Sequence, residues 1–361
     1  MQKKRSVVMT QSPPKAPKRD IVIDLLKTIA ILGVLTIHAS TAANGAPIGS
    51  FNWFSGTFFG CLTRASVPLF LMCSGALFLS DGKDISIKKL FTKNILRLVV
   101  SMIFWATAYK AYNLLETHNF SIANLFSDFK NVLFFKQEFH LYYIHIMLLI
   151  YAILPIISLI CKNADKRTLQ YALVIWFALG VLLPTLTAFW PFSMLSGIPH
   201  QWKLNLVYNS VGYFIFGHYL KKYPLKLPLS IISAILGFAI IFGGTVYFTI
   251  KNGTLYTLFI DGMTLGSFFL SAGIFGLCEN AKALIKPPIQ RITEYVSKAS
   301  FCIYLVHMLV LYEMEDLKFS AGTLPIPMLI SIPIVVIVCF AVSTAIYFIL
   351  SHIPVIKKWL V

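Results

Sequence analysis

The sequence predicts an all-α integral membrane protein: a bundle of about ten transmembrane helices with both termini on the cytoplasmic side. Three observations predict it. Of 361 residues, 57% are hydrophobic and only 12% charged, and the mean hydropathy is +0.76; a soluble surface carries far more charge. Apolar runs near the roughly 20 residues that cross a bilayer recur along the chain, without the alternation of a transmembrane barrel. Lysine and arginine collect at every second junction between these runs. Counted from a cytoplasmic N-terminus, 24 of the 31 fall on one face, as the positive-inside rule requires.

The elements follow in order. Residues 1–20, MQKKRSVVMTQSPPKAPKRD, read as a disordered basic cytoplasmic tail. No apolar core follows Arg5, so no cleavable signal peptide is expected. Residues 21–361 read as a single transmembrane domain. Spans are expected near 21–41, 55–79, 90–112, 141–160, 168–190, 203–221, 227–249, 254–278, 299–313 and 325–351. The outer loop 113–140 is rich in aromatic residues and is expected to lie along the interface or to cap a cavity.

The net charge of +17 is then largely an inner-face property. With no basic soluble domain, nucleic-acid binding is excluded. The six cysteines, Cys61, Cys73, Cys161, Cys278, Cys302 and Cys339, form no CxxC and no Cys/His cluster. They read as small hydrophobes, with no disulfide framework and no metal site.

Ionisable residues inside spans are functional candidates. Asp24, Lys27, His38, Arg64, Lys110, His145, His218, Asp261 and His307 are the set. Lys110 and His218 lie near helix ends, where they snorkel. His145, beside Tyr142 and Tyr143, fits an aromatic belt. Asp24 and Lys27 sit in the inner headgroup zone, spaced to pair along one helix. His38 follows Lys27 by 11 residues, about three turns and about 16 Å along one helix face. His307 lies at a comparable depth, about 14 Å beyond Lys298. Arg64 must face protein or water rather than lipid.

Several stretches together resemble the acyltransferase-3 family of bacterial membrane acyltransferases. DLLKTIAILGVLTIHAS resembles its first-helix signature of an Arg, ten residues and a His, with Lys27 and His38 at those positions. RASVPLFLMCSGALFL, KKLFTKNILRLVVSMIFW, FHLYYIHIMLLIYAILP, VGYFIFGHYL and SKASFCIYLVHMLVL resemble later spans in order. The chain resembles the standalone type, as in enterobacterial common antigen O-acetyltransferases. The resemblance implies a ten-helix bundle in the bacterial inner membrane. It also implies transfer of an acyl group, most often acetyl, from cytosolic acyl-CoA to a hydroxyl of a cell-surface glycan or its lipid-linked precursor. Lys27 departs from the family arginine: it keeps the charge and loses the two-point fork.

On that resemblance, Lys27, Lys88, Lys93 and Arg97 would hold the phosphates of acetyl-CoA at the cytosolic mouth. His38 would act as general base or as acyl relay. Arg64 or His307 would stabilise the oxyanion, and Asp24 would pair with Lys27. Acceptor contacts would come from 113–140 and from 191–203. Two rival readings remain on the residues alone. A multi-span transporter or exporter of a glycan or small molecule also keeps buried charges. A non-catalytic membrane partner would leave His38 dispensable.

Overall fold

The computed structural model describes residues 19–80, 85–202 and 204–361. The expected tail therefore lies outside the described residues up to position 18. Its last two residues, Arg19 and Asp20, already sit in ion pairs with Asp24 and Lys221. The described residues form helices and no strand. The principal helices are α1 (Ile21–Ser40), α2 (Phe51–Leu62), α3 (Ser66–Phe78), α4 (Leu96–Glu116), α5 (Ile122–Leu133), α6 (Tyr142–Asn163) and α7 (Lys166–Trp176). They continue as α8 (Leu206–Lys222), α9 (Leu227–Asn252), α10 (Leu265–Asn280), α11 (Pro287–Asp316), α12 (Met328–Ser351) and α13 (Pro354–Trp359).

Among the described residues, eight helical stretches are long and apolar enough to cross a membrane. The protein is an all-α, multi-pass membrane protein. Each of the ten expected runs overlaps a helix. The two outside the eight are α8, with 17 residues, and α10, with 16.

The boundaries have local causes. Asp20 opens α1 by accepting from the amides of Val22 and Ile23 at 3.0 and 3.5 Å, which satisfies two otherwise orphaned donors. Ser50 and Ser121 cap α2 and α5 in the same way. Gly253, in the left-handed region at φ 68°, ends α9, a conformation that costs glycine little.

Three expectations need correction. The span expected at 55–79 is broken into α2 and α3 by a turn at residues 63–65. Pro68 has no amide hydrogen to bond the Arg64 carbonyl one turn back, so the chain turns where Arg64 sits. The span expected from 254 becomes helical only at Leu265; Met263 takes a left-handed backbone at φ 69° just before it. The span expected at 299–313 is instead a 30-residue helix. Pro287 and Pro288 start it, as proline favours, and the charged turns before Lys298 continue the helix beyond its apolar part.

Two apolar clusters make the core. One joins α3, α6, α7, α8 and α10 around Leu71, Met72, Ile150, Phe214 and Phe275. The other joins α4, α11 and α12 around Ala106, Cys302, Leu305, Ile332 and Cys339. Helix α1 contributes to both, and Phe70, Leu98 and Tyr143 pack against both. The first cluster closes tightly because α3 and α8 cross on glycines: a Cβ on Gly75 would lie 1.7 Å from the Phe214 carbonyl oxygen. Close backbone approach through small residues is how helices associate in lipid.

Candidate active site

The seam between the two clusters holds a cavity of about 370 Å³. Four cations line it: Lys27 from α1, Lys93, Arg97 at the start of α4, and Lys298 from α11. Lys298 is paired with Glu294 at 2.7 Å. Arg97 donates to the main-chain oxygen of Val361 and lies 5.7 Å from the Phe301 ring centroid. Lys27 and Lys93 make no ion pair among the described residues. A concave site with several cations and little acidic compensation suits a polyanion.

Val34, Phe70, Tyr143 and Tyr304 also line this cavity. Val34 stands one turn before His38 on α1, and Tyr304 one turn before His307 on α11. The two helices run in the same direction. Arg19 reaches the Glu294 carbonyl at their amino ends, and Thr28 approaches the Thr293 carbonyl at 3.4 Å. Parallel packing therefore carries His38 and His307 to one level, with ring centroids 5.2 Å apart.

A third histidine joins them. His140, in the short turn Phe139–Leu141 before α6, lies 5.7 Å from His307 between centroids. Tyr304 fixes this turn by donating its hydroxyl to the His140 carbonyl. Tyr109 packs edge-on against the His140 ring at 4.7 Å and donates to the Leu305 carbonyl at 2.8 Å.

The hydrogen bonds fix one tautomer. His307 Nδ1 lies 2.7 Å from the Tyr304 carbonyl oxygen. A carbonyl only accepts, so Nδ1 carries the proton, and the neutral ring has its lone pair on Nε2. That Nε2 is buried with no hydrogen-bond partner among the described residues, as are both ring nitrogens of His140. The half-buried His38 ring likewise makes no hydrogen bond among the described residues. Buried nitrogens are normally satisfied; several unsatisfied ones in one spot mark a place that binds polar groups.

Arg64 lies in the break between α2 and α3, where it lines a separate small pocket with Ser40 and Thr41. Its side chain makes no hydrogen bond or ion pair among the described residues, and its Nε is buried. Its charge acts on His38, Tyr142 and Asp261.

The expected residues thus divide. His38, His307 and Arg64 come together, and Lys27, Lys93 and Arg97 share the cavity. Lys88 does not join them: it is exposed on the short helix Ile87–Lys89 and does not line the cavity. Asp24 does not pair with Lys27. It is buried and held by both guanidinium contacts of Arg19, at 2.6 and 2.7 Å. Lys110 pairs with Glu138 at 3.0 Å, and His145 bonds Gln137 at 3.1 Å, so neither belongs to the site. His140, Lys298 and Tyr304 were absent from the expected set. His140 could have been suspected from its place beside His145, but nothing in the sequence sets its distance to His307.

Fold and site together define a membrane-embedded protein with a cation-lined cavity and, one helical turn beyond its lining residues Val34 and Tyr304, a histidine cluster. Residues 20–348 match the family described as Acyltransferase domain, and the chain belongs to this acyltransferase-3 family. It is a membrane acyltransferase. Neither a curated protein nor a solved structure matches it. Membership displaces the transporter and non-catalytic readings.

Proposed function

We propose that this protein moves a short acyl group, acetyl in the first instance, from acyl-CoA to a hydroxyl of a cell-surface glycan or its lipid-linked precursor. The enterobacterial common antigen O-acetyltransferases are the relevant comparison within the family. The lysine-rich end of the bundle then faces the cytoplasm of a bacterial inner membrane, with both termini on that side. The observation that carries the reading is a cavity lined by Lys27, Lys93, Arg97, Val34 and Tyr304, with His38 and His307 one helical turn beyond Val34 and Tyr304 on α1 and α11.

In this reading the cations hold the phosphates of the donor, with charge-assisted hydrogen bonds. The thin pantetheine arm follows α1 and α11 towards the histidines. His38 takes the proton from the acceptor hydroxyl as the hydroxyl oxygen attacks the thioester carbonyl. The unpaired charge of Arg64 offsets the developing oxyanion. Collapse of the tetrahedral intermediate breaks the carbon–sulfur bond, and the proton held by His38 passes to the leaving thiolate. In the relay variant His38 is itself acylated before the hydroxyl attacks. His307, with its lone pair held towards the cluster, orients His38 or receives its proton.

The test uses purified protein in nanodiscs with radiolabelled acetyl-CoA, comparing wild type with His38→Ala. Donor binding retained with transfer to membrane glycan abolished supports the reading. No binding by the wild type, or full transfer by the variant, overturns it. Label retained on denatured wild type and absent from the variant selects the relay.

A further inference from the structure

The loop between α4 and α6 contains a helix that faces two ways. On α5, Leu125, Phe129 and Val132 turn towards the protein, with Val132 fully buried. Asn124 and Ser127 lie on the opposite face. Between these two faces runs an apolar strip with no protein over it. Ile122 is 84% exposed, Phe126 57% and Leu133 48%. These positions fall within a narrow arc at 3.6 residues per turn. The strip continues through Phe134, Phe135 and Phe139, exposed by 74, 64 and 64%.

An exposed apolar strip of this size has a partner. Its neighbours identify that partner. α4 and α6, which flank the loop, both belong to stretches apolar and long enough to cross a membrane. They too expose large apolar side chains, among them Phe104, Leu115 and Leu149. Lys130 caps it with its ammonium 4.6 Å from the Phe126 ring centroid, and Lys136 follows just beyond. Apolar side chains in the acyl region with lysines reaching for phosphate describe an interfacial helix.

Phe139 gives this seat a consequence. Its ring is exposed, yet it lies 5.8 Å from the His38 centroid and 5.6 Å from that of His140. One aromatic ring therefore separates the histidine cluster from the outer surface of the bundle.

We propose that the segment Ile122–Phe139 is seated in the lipid leaflet at the end away from the lysines, and that the histidine site opens sideways onto lipid at Phe139. The inference stands on geometry and does not depend on the acyl-transfer reading. Under that reading it means that an acceptor carried on a lipid reaches His38 from within the leaflet, past Phe139.

Nitroxide labels test it on the full chain in lipid nanodiscs. The six native cysteines are buried, so labels go to Ile122→Cys, Phe126→Cys, Leu133→Cys and Phe139→Cys, with Asn124→Cys and Ser127→Cys as the polar-face set. Power saturation compares oxygen, which concentrates in lipid, with a water-soluble nickel chelate. The strip positions should relax several-fold more with oxygen than with nickel, and the polar-face positions the reverse. Nickel dominance at 122, 126 and 133 would place the strip in water and overturn the seat. Exclusion of both reagents there would show a protein partner, such as a second copy, and overturn it equally. Nickel dominance confined to 139 would overturn the sideways opening.

Discussion

His38 and His307 face one another across 5.2 Å because α1 and α11 run parallel from a shared amino-terminal clasp. Among the described residues only one ring nitrogen of the pair, His307 Nδ1, is hydrogen-bonded, through the Tyr304 carbonyl. The other nitrogens are left for substrate or for each other. If the pair works as a unit, losing either member removes most of the base catalysis, typically about 10²–10⁴ in rate. His38→Ala and His307→Ala should each show that loss while acyl-CoA binding persists. The double variant should be little worse than the more damaged single one. Multiplicative losses in the double variant would show that the two rings act separately.

The cavity cations should act on donor affinity rather than on the chemical step. Hydrogen bonds to charged groups are worth about 1.5–3 kcal/mol, or about 10- to 100-fold in affinity. Lys27→Gln and Lys93→Gln should raise the dissociation constant for acyl-CoA by such factors, with a steeper loss at high salt. Lys88→Gln should leave it unchanged, because Lys88 is exposed outside the cavity. Titrating all three variants decides the matter: equal effects at Lys88 and Lys93 would mean that the phosphates sit outside the cavity.

His140 offers a sharper discrimination. Both of its ring nitrogens are buried without hydrogen-bond partners among the described residues, so a structural role would rest on shape alone. His140→Phe keeps a ring against Tyr109 and removes two unsatisfied polar atoms. The thermal midpoint should hold or rise, since unsatisfied buried groups cost about 1–3 kcal/mol. Transfer should fall by at least tenfold if those nitrogens meet substrate or bound water. Unchanged transfer in a stable variant would reduce His140 to packing.

Much of this site could be read from the chain because it depends on one helix at a time. The eleven-residue step from Lys27 to His38 needs only the helical repeat, whereas the break at Arg64 interrupts a run that reads as one continuous apolar span. Local spacing on α1 favours an Asp24–Lys27 pair. The chain before α1 brings Arg19 back over Asp24 instead, and two parallel contacts from one guanidinium outdo a single flexible ammonium. Lys88 and Lys93 are close in sequence and both basic, and only Lys93 lines the cavity. His140 reaches His307 through the tertiary contact of Tyr304 with its carbonyl, which no local pattern encodes.

The clasp at the start of α1 gives a prediction in pH. Asp20 caps α1 and also meets Lys221 at 2.5 Å, while Lys221 reaches Glu279 at 2.8 Å. Burial alone would raise the Asp20 pKa, but the hydrogen bond and charge of Lys221, with the amides of Val22 and Ile23, outweigh it and hold it below the ordinary 3.8. A carboxylate with a lowered folded pKa contributes stability that is fully present above its unfolded value. That stability is lost as pH falls through the folded value. Asp20→Asn keeps a good helix cap and removes the charge. Thermal midpoints of wild type and variant should therefore differ most above about pH 5 and converge as the medium is acidified below the ordinary aspartate range. A constant difference across that range would show that Asp20 acts through the cap alone, without the ion pair to Lys221.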